Sequence, residues 1–344
     1  MQRAMQKYFL TSILCLLAAS YAFPQGFNPY IYGDVSDRRQ NTFRKILNQI
    51  TLTAASGVGY TFYHHKLDGY SIVSDNDRLY INPNSTQDYY YRWLNDPVKA
   101  SGIIPGSGDQ SVVGGDSLDL GFRGVAAGAP LLLSLHYQFD RFRIGAGASF
   151  EFQRFRKMEP TFYAPSLGLY NESFSTVFTK LFVNAGVEFY RFYDWHYYLD
   201  IYAGAMNYGG GFNQSAMKAG GFFNIGVPIE REISEYFKIF FRPSWDFKKF
   251  NMSLPESALS IRNNSQALYL NIGVRMNYPD VPRCPIRSCE TQKVHLHQGK
   301  EFRGRPFYKK QNPQIGENYK HSPLFKRKDK DAPKSKVSRK DPRK

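Results

Sequence analysis

Cys284, Cys289, His295 and His297 lie within fourteen residues of one another and carry the side chains best suited to chemistry. Cys284 and Cys289 are the cysteines left once an N-terminal export signal holding Cys15 is set aside. In an oxidising compartment two such neighbouring thiols close a small-loop disulfide, which is the first expectation. Two thiolates and two imidazoles also make a tetrahedral zinc set, although the spacing departs from common finger patterns. Free or intermolecularly paired thiols are the third state. No cofactor is implied.

Catalysis has weaker support. A barrel-type lipid hydrolase needs a Ser or equivalent nucleophile beside a His on a lipid-facing rim. His64, His65, His136 and His196 are present, but no spacing ties any of them to a particular Ser and carboxylate. His136 falls on an inward face, where a satisfied hydrogen bond is the commoner role. No catalytic residue is assigned, and a non-enzymatic protein is expected.

A second set is ionic: Arg143, Glu151, Glu188, Lys238, Arg242 and Arg275, which share one face with Asp200 and Asp246. Their opposed signs suggest a packed plug in which they neutralise one another, because eight strands leave an interior that side chains fill. An ion path is the alternative.

The elements that must position these residues are strands. In ALYLNIGVRMNY, Leu268, Leu270, Ile272, Val274, Met276 and Tyr278 fall on one face and Tyr269, Asn271, Gly273, Arg275 and Asn277 on the other. Seven earlier stretches repeat this, beginning at Ile50, Leu131, Ile144, Leu181, Tyr197, Phe223 and Phe237. Each is about the nine to eleven residues that a tilted strand needs to cross a bilayer. Tight turns near Asp140, Asp194 and Ser234 alternate with longer connections, above all that from His64 to about Pro130. Short turns inside and long loops outside are the transmembrane-barrel rule, and an even strand count places both termini in the periplasm. A soluble β-sandwich would alternate too, but the strand length, the loop alternation and the export signal together favour the membrane barrel.

The export signal is Arg3 and Lys7, then YFLTSILCLLAA, then Ser20-Tyr21-Ala22. The expected organisation is a signal peptide at 1–22, a periplasmic segment at 23–45, a barrel at 46–281 and a basic tail at 282–344. From Arg283 onward 19 Lys and Arg face 6 Asp and Glu, so the tail carries +13 of the chain's +16. With few aliphatics and several prolines it is expected to be largely disordered. Such a polycation attracts anionic envelope surfaces or an acidic protein, while export argues against nucleic acid. Within it, Arg303, Arg305, Phe307, Tyr308, Lys309 and Lys310 combine charge and rings, and are the expected partner-binding residues.

In this pattern, and in segments such as APLLLSLHYQFDRFRIGAG, the chain resembles the small eight-stranded outer-membrane barrels of the outer-membrane protein A and X type, particularly those common in Bacteroidota. The resemblance implies an all-β barrel in outer-membrane lipid, in a family of structural anchors, adhesins and barrel subunits of envelope machines including type IX secretion. The first reading is therefore a non-enzymatic barrel whose tail docks on peptidoglycan or an envelope complex. The second is a surface recognition protein using the loop from Asp68 to Gly128, with Tyr89, Tyr90, Tyr91 and Trp93. The third is a lipid-modifying barrel enzyme.

Overall fold

The computed structural model describes residues 42–312 apart from 76–77, 84–86, 101–110, 113–119, 162–168, 171, 193 and 257–259. The export signal, nearly all of the 23–45 segment and residues 313–344 lie outside the described residues. A short helix, α1 (Thr42–Asn48), precedes β1 (Ile50–Lys66). Five small strands follow, β2 (Tyr70–Asp75), β3 (Arg78–Pro83), β4 (Tyr89–Tyr91), β5 (Val98–Ala100) and β6 (Ser111–Val112). Long strands resume with β7 (Gly121–Phe139), β8 (Phe142–Pro160), β9 (Ser175–Phe192), β10 (Trp195–Tyr208), β11 (Met217–Gly226), β12 (Ile229–Ser234), β13 (Phe237–Ser253) and β14 (Ser260–Asn277). A hairpin of β15 (His295–His297) and β16 (Lys300–Phe302) completes the order.

The expected eight-stranded antiparallel barrel is present. The order runs β1, β7, β8, β9, β10, β11 with β12, β13 and β14, and β14 pairs back onto β1 from Thr51↔Asn277 to Lys66↔Arg262, so no edge is left open. One barrel strand is split into β11 and β12 at Val227-Pro228, where proline has no N–H to give to the ladder. The Tyr198 amide nevertheless donates to the Pro228 carbonyl at 3.0 Å and the Val227 amide to that of Pro243 at 3.0 Å, which carries the pairing across the break.

Alternation places the faces as the sequence suggests. Leu52, Val58, Leu131, Leu133, Leu135, Ile144, Leu181, Val183, Ile239, Leu268 and Ile272 all point out of the barrel and are exposed. Aromatic rings fence this band, with Tyr137, Phe139, Phe142, Tyr190, Phe192 and Trp195 at one edge and Tyr60, Phe62, Phe150, Phe152, Trp245 and Phe247 at the other. On β8 the band runs from Phe142 to Phe152, a height of roughly 25 Å for a tilted strand. A continuous apolar girdle on a closed ring has one favourable solvent, lipid, and closure pairs the strands with no free edge. The protein is a transmembrane barrel.

The strands exceed the expected nine to eleven residues, with 19 in β7 and in β8. Past the apolar band the outward positions become polar, as at Arg154, Arg156, Lys249, Asn251, Arg262 and Asn264, so the barrel wall continues beyond the membrane at the loop end. The long first connection is folded there as a five-stranded sheet, β5-β4-β3-β2-β6. The opposite, turn end carries the three tight turns, the start of β1 and the end of β14.

Candidate functional site

Inside the wall the side chains form two ion clusters. Toward the turn end, Arg143 Nε and Nη2 hold Asp200 at 2.9 and 2.7 Å, and Arg143 Nη1 holds Glu230 at 2.5 Å. Arg275 also binds Glu230 and lies 3.7 Å from Asp200, while Arg242 reaches Asp200 at 3.8 Å. The guanidiniums stack on rings, Arg143 over Tyr198 at 3.9 Å and Arg242 over Tyr202 at 4.0 Å. Toward the loop end, Lys180 Nζ lies 2.7 Å from Glu151 and 2.6 Å from Asp246, and Lys248 Nζ lies 3.1 Å from Glu151, which also accepts from Tyr269. All of these residues are buried. The cavity between the clusters, lined by Lys180, Tyr202, Arg242, Asp246 and Tyr269 among others, is about 30 Å³, enough for one or two waters.

Of the six interior residues expected from sequence, Arg143, Glu151, Arg242 and Arg275 join these clusters. Glu188 and Lys238 sit nearer the turn end, where Glu188 meets His196 at 3.2 Å and His196 meets Glu232 at 3.1 Å. Lys180, Lys248, Glu230 and Glu232 are interior ions that the sequence reading missed. Each lies just past the assigned end of a stretch, and counting on by twos would have reached it. Glycines on the inner face mark the same places: a Cβ on Gly186 would collide with the Asp200 carboxylate and the Arg143 side chain.

Ser134, His136 and Asn184 form a chain, with His136 Nε2 2.8 Å from the Ser134 hydroxyl and His136 Nδ1 2.8 Å from the Asn184 amide. All three are buried within the wall, and the satisfied interior role expected for His136 is the one observed.

At the turn end the first part of the expected tail is ordered, while residues 313–344 lie outside the described residues. Residues 281–312 are folded against the barrel rim. The Ser234 hydroxyl donates to the Phe307 carbonyl, Lys310 Nζ pairs with Asp194 at 2.9 Å, and the Gln311 amide meets Glu235 at 3.3 Å. Gln311 is buried and donates to the carbonyls of Pro306 and Lys309 at 2.9 and 2.6 Å. Tyr236 donates to Asp280 at 2.5 Å, and its burial together with that carboxylate holds the phenol well above its ordinary pKa. These contacts fasten the segment to two of the three tight turns.

The expected partner-binding residues divide accordingly. Arg303 and Arg305 bond to the segment's own backbone, to the Arg305 carbonyl at 3.0 Å and the Lys310 carbonyl at 3.2 Å respectively. Phe307 packs on Phe237 at 6.0 Å and Lys310 holds the turn. These four make contacts within the chain, whereas Tyr308 and Lys309 are exposed.

Cys284 and Cys289, the expected disulfide pair, stand as free thiols in this structure. Instead the side chains of Cys284, Cys289, His295 and His297 converge, with one donor atom from each lying within 4.8 Å of the others. Contact with the His297 imidazole lowers the Cys289 thiol to about 6.

At the loop end, Trp93 and Tyr90 are buried core residues, Trp93 lying 4.9 Å from Tyr170 and 5.8 Å from Phe122. Two of the four aromatics expected to face a ligand are therefore packed inside the folded connection.

No family model matches the chain, and no curated protein matches it. Among solved structures it is similar to the outer membrane protease OmpT from Escherichia coli, at 10% identity over 67% of this chain and 96% of that one with a TM-score of 0.32. It is also similar to Neisserial surface protein A, at 10% identity over 67% and 97% with a TM-score of 0.30. For the outer membrane protein AlkL in lipid bilayers the values are 9%, 73%, 96% and 0.28. These likenesses carry no argument about activity.

Proposed function

We propose that the protein is a non-enzymatic bacterial outer-membrane barrel that docks a periplasmic partner, peptidoglycan or an envelope protein complex, at its turn end. The observation that carries this reading is the clamping of residues 281–312 onto the barrel turns. Two buried ion clusters fill the barrel interior, and a solvated tail alone would need no mount. The clamp turns the turn end into a fixed platform on which Tyr308 and Lys309 are exposed, and it delivers the basic stretch beyond 312 to one place on the rim. In that stretch 11 Lys and Arg face 4 Asp and Glu, a charge suited to an anionic polymer or an acidic protein face. Specific contact from the platform and diffuse attraction from the basic stretch then act in sequence, the second raising the rate of encounter.

Crosslinking pull-down from intact cells tests this with three chains: full length, ending at 312 and ending at 281. Full-length protein should capture a periplasmic protein or a peptidoglycan fraction. The chain ending at 312 should capture less, with the loss deepening at low ionic strength relative to full length, and the chain ending at 281 none. Identical captures from all three would reject the reading and move the binding surface to the loop end.

A further inference from the structure

We infer that Cys284, Cys289, His295 and His297 bind one zinc ion that staples the turn-end platform. The donor set and its geometry point the same way. Zinc with two sulfurs at about 2.3 Å and two nitrogens at about 2.0 Å sets its ligand atoms roughly 3.4–3.8 Å apart. Here Cys289 Sγ lies 3.2 Å from His295 Nε2 and 3.4 Å from His297 Nε2, and all four donors fall within 4.8 Å of one another. Closing the widest of these separations by about 1 Å admits the ion. Two soft thiolates with two imidazoles in a compact group select zinc over the harder divalent cations.

The backbone prepares this site. His295 and His297 are two apart on β15 and therefore share a face. The hairpin that holds β15 turns at Gln298 and Gly299, both at positive φ (51° and 75°), the geometry of a two-residue turn that follows strand twist. His295 Nδ1 donates to the Lys293 carbonyl at 2.8 Å, which fixes the tautomer and leaves Nε2 with its lone pair toward Cys289. The other arm is tied to the same hairpin by the Cys284 amide, which donates to the Arg303 carbonyl at 3.1 Å.

Residues 281–312 are also a segment that such an ion would stabilise. Gln311 is their one buried residue, and no apolar side chain among them is buried. Polar contacts to the barrel turns hold the segment on one side, and a small segment without an apolar core gains further from a metal. The inference does not rest on the partner reading, since zinc at this site leaves the identity of any partner open.

The test uses full-length protein extracted from membranes in detergent. Metal analysis should find one zinc per chain, a thiol reagent should find the cysteines protected until a chelator is added, and cobalt in place of zinc should give tetrahedral bands with thiolate charge transfer. Cys289→Ser and His297→Ala should each reduce bound zinc to near zero while the barrel keeps its heat-modifiable gel mobility, which separates loss of the site from loss of the fold. An intact mass showing an oxidised cysteine pair, thiols that take up no zinc on titration with zinc chloride, or unchanged zinc in both variants would overturn the assignment.

Discussion

Asp200→Ala should destabilise the barrel by about 3–5 kcal/mol, because it leaves the buried Arg242 without a carboxylate partner. Three guanidiniums face this carboxylate: Arg143 at 2.7 Å, Arg275 at 3.7 Å and Arg242 at 3.8 Å. Glu230 remains to serve Arg143 and Arg275, but Arg242 loses its carboxylate altogether. Urea unfolding of the barrel in detergent micelles measures the loss. Adding Arg242→Met should recover part of it, since removing both partners costs less than removing one. A loss no larger than that of an exposed ion pair, about 0.5 kcal/mol, would show that water reaches Asp200.

Trp93→Ala should unfold the loop-end sheet and leave the barrel standing. Trp93 is among the largest fully buried side chains, packed on Phe122 and Tyr170, and emptying such a site costs about 3–5 kcal/mol. A small five-stranded sheet has little stability beyond that to lose. Protease added to intact cells or proteoliposomes should then cut between Leu67 and Leu120, while unboiled samples keep the compact mobility, because β1–β14 closure lies outside the sheet. Tyr89→Ala, at a half-buried position, should leave the sheet resistant. Equal resistance of Trp93→Ala and the parent protein would contradict the packing described.

The barrel was legible because lipid outside and packed polar groups inside impose opposite chemistries on alternate residues. All eight strands, the three tight turns and the facing of Leu131 to Phe139 follow from that rule alone. The signal fades where the wall leaves the membrane. At Lys248-Lys249 an inward and an outward residue are both basic, so alternation stops reporting direction although the strand continues, and Lys248 escapes notice. Glu230 and Glu232 escape because the stretch read from Phe223 stops at Ile229, although the alternation runs on to both.

The turn-end platform was hidden more deeply. Its fold is held by polar contacts to distant turns, such as Lys310 to Asp194 and Ser234 to the Phe307 carbonyl, and composition reports only its charge and lack of aliphatics. The four Cys and His residues were visible as a set, but spacing alone ranks a disulfide over a metal. Their convergence depends on the hairpin turn at Gln298-Gly299, which folds His295 and His297 back toward the cysteines. In the long connection, Tyr90 and Trp93 read as recognition residues because an aromatic cluster looks alike whether it faces a ligand or fills a core.

Epitope accessibility in intact cells tests the central claim most directly: an outer-membrane barrel with its turn end and tail in the periplasm. One tag is placed after Lys344 and another within 113–119. The account predicts that antibody reaches the 113–119 tag on intact cells and reaches the C-terminal tag only after the outer membrane is permeabilised. Antibody binding to the C-terminal tag on intact cells, with the 113–119 tag shielded, would contradict it.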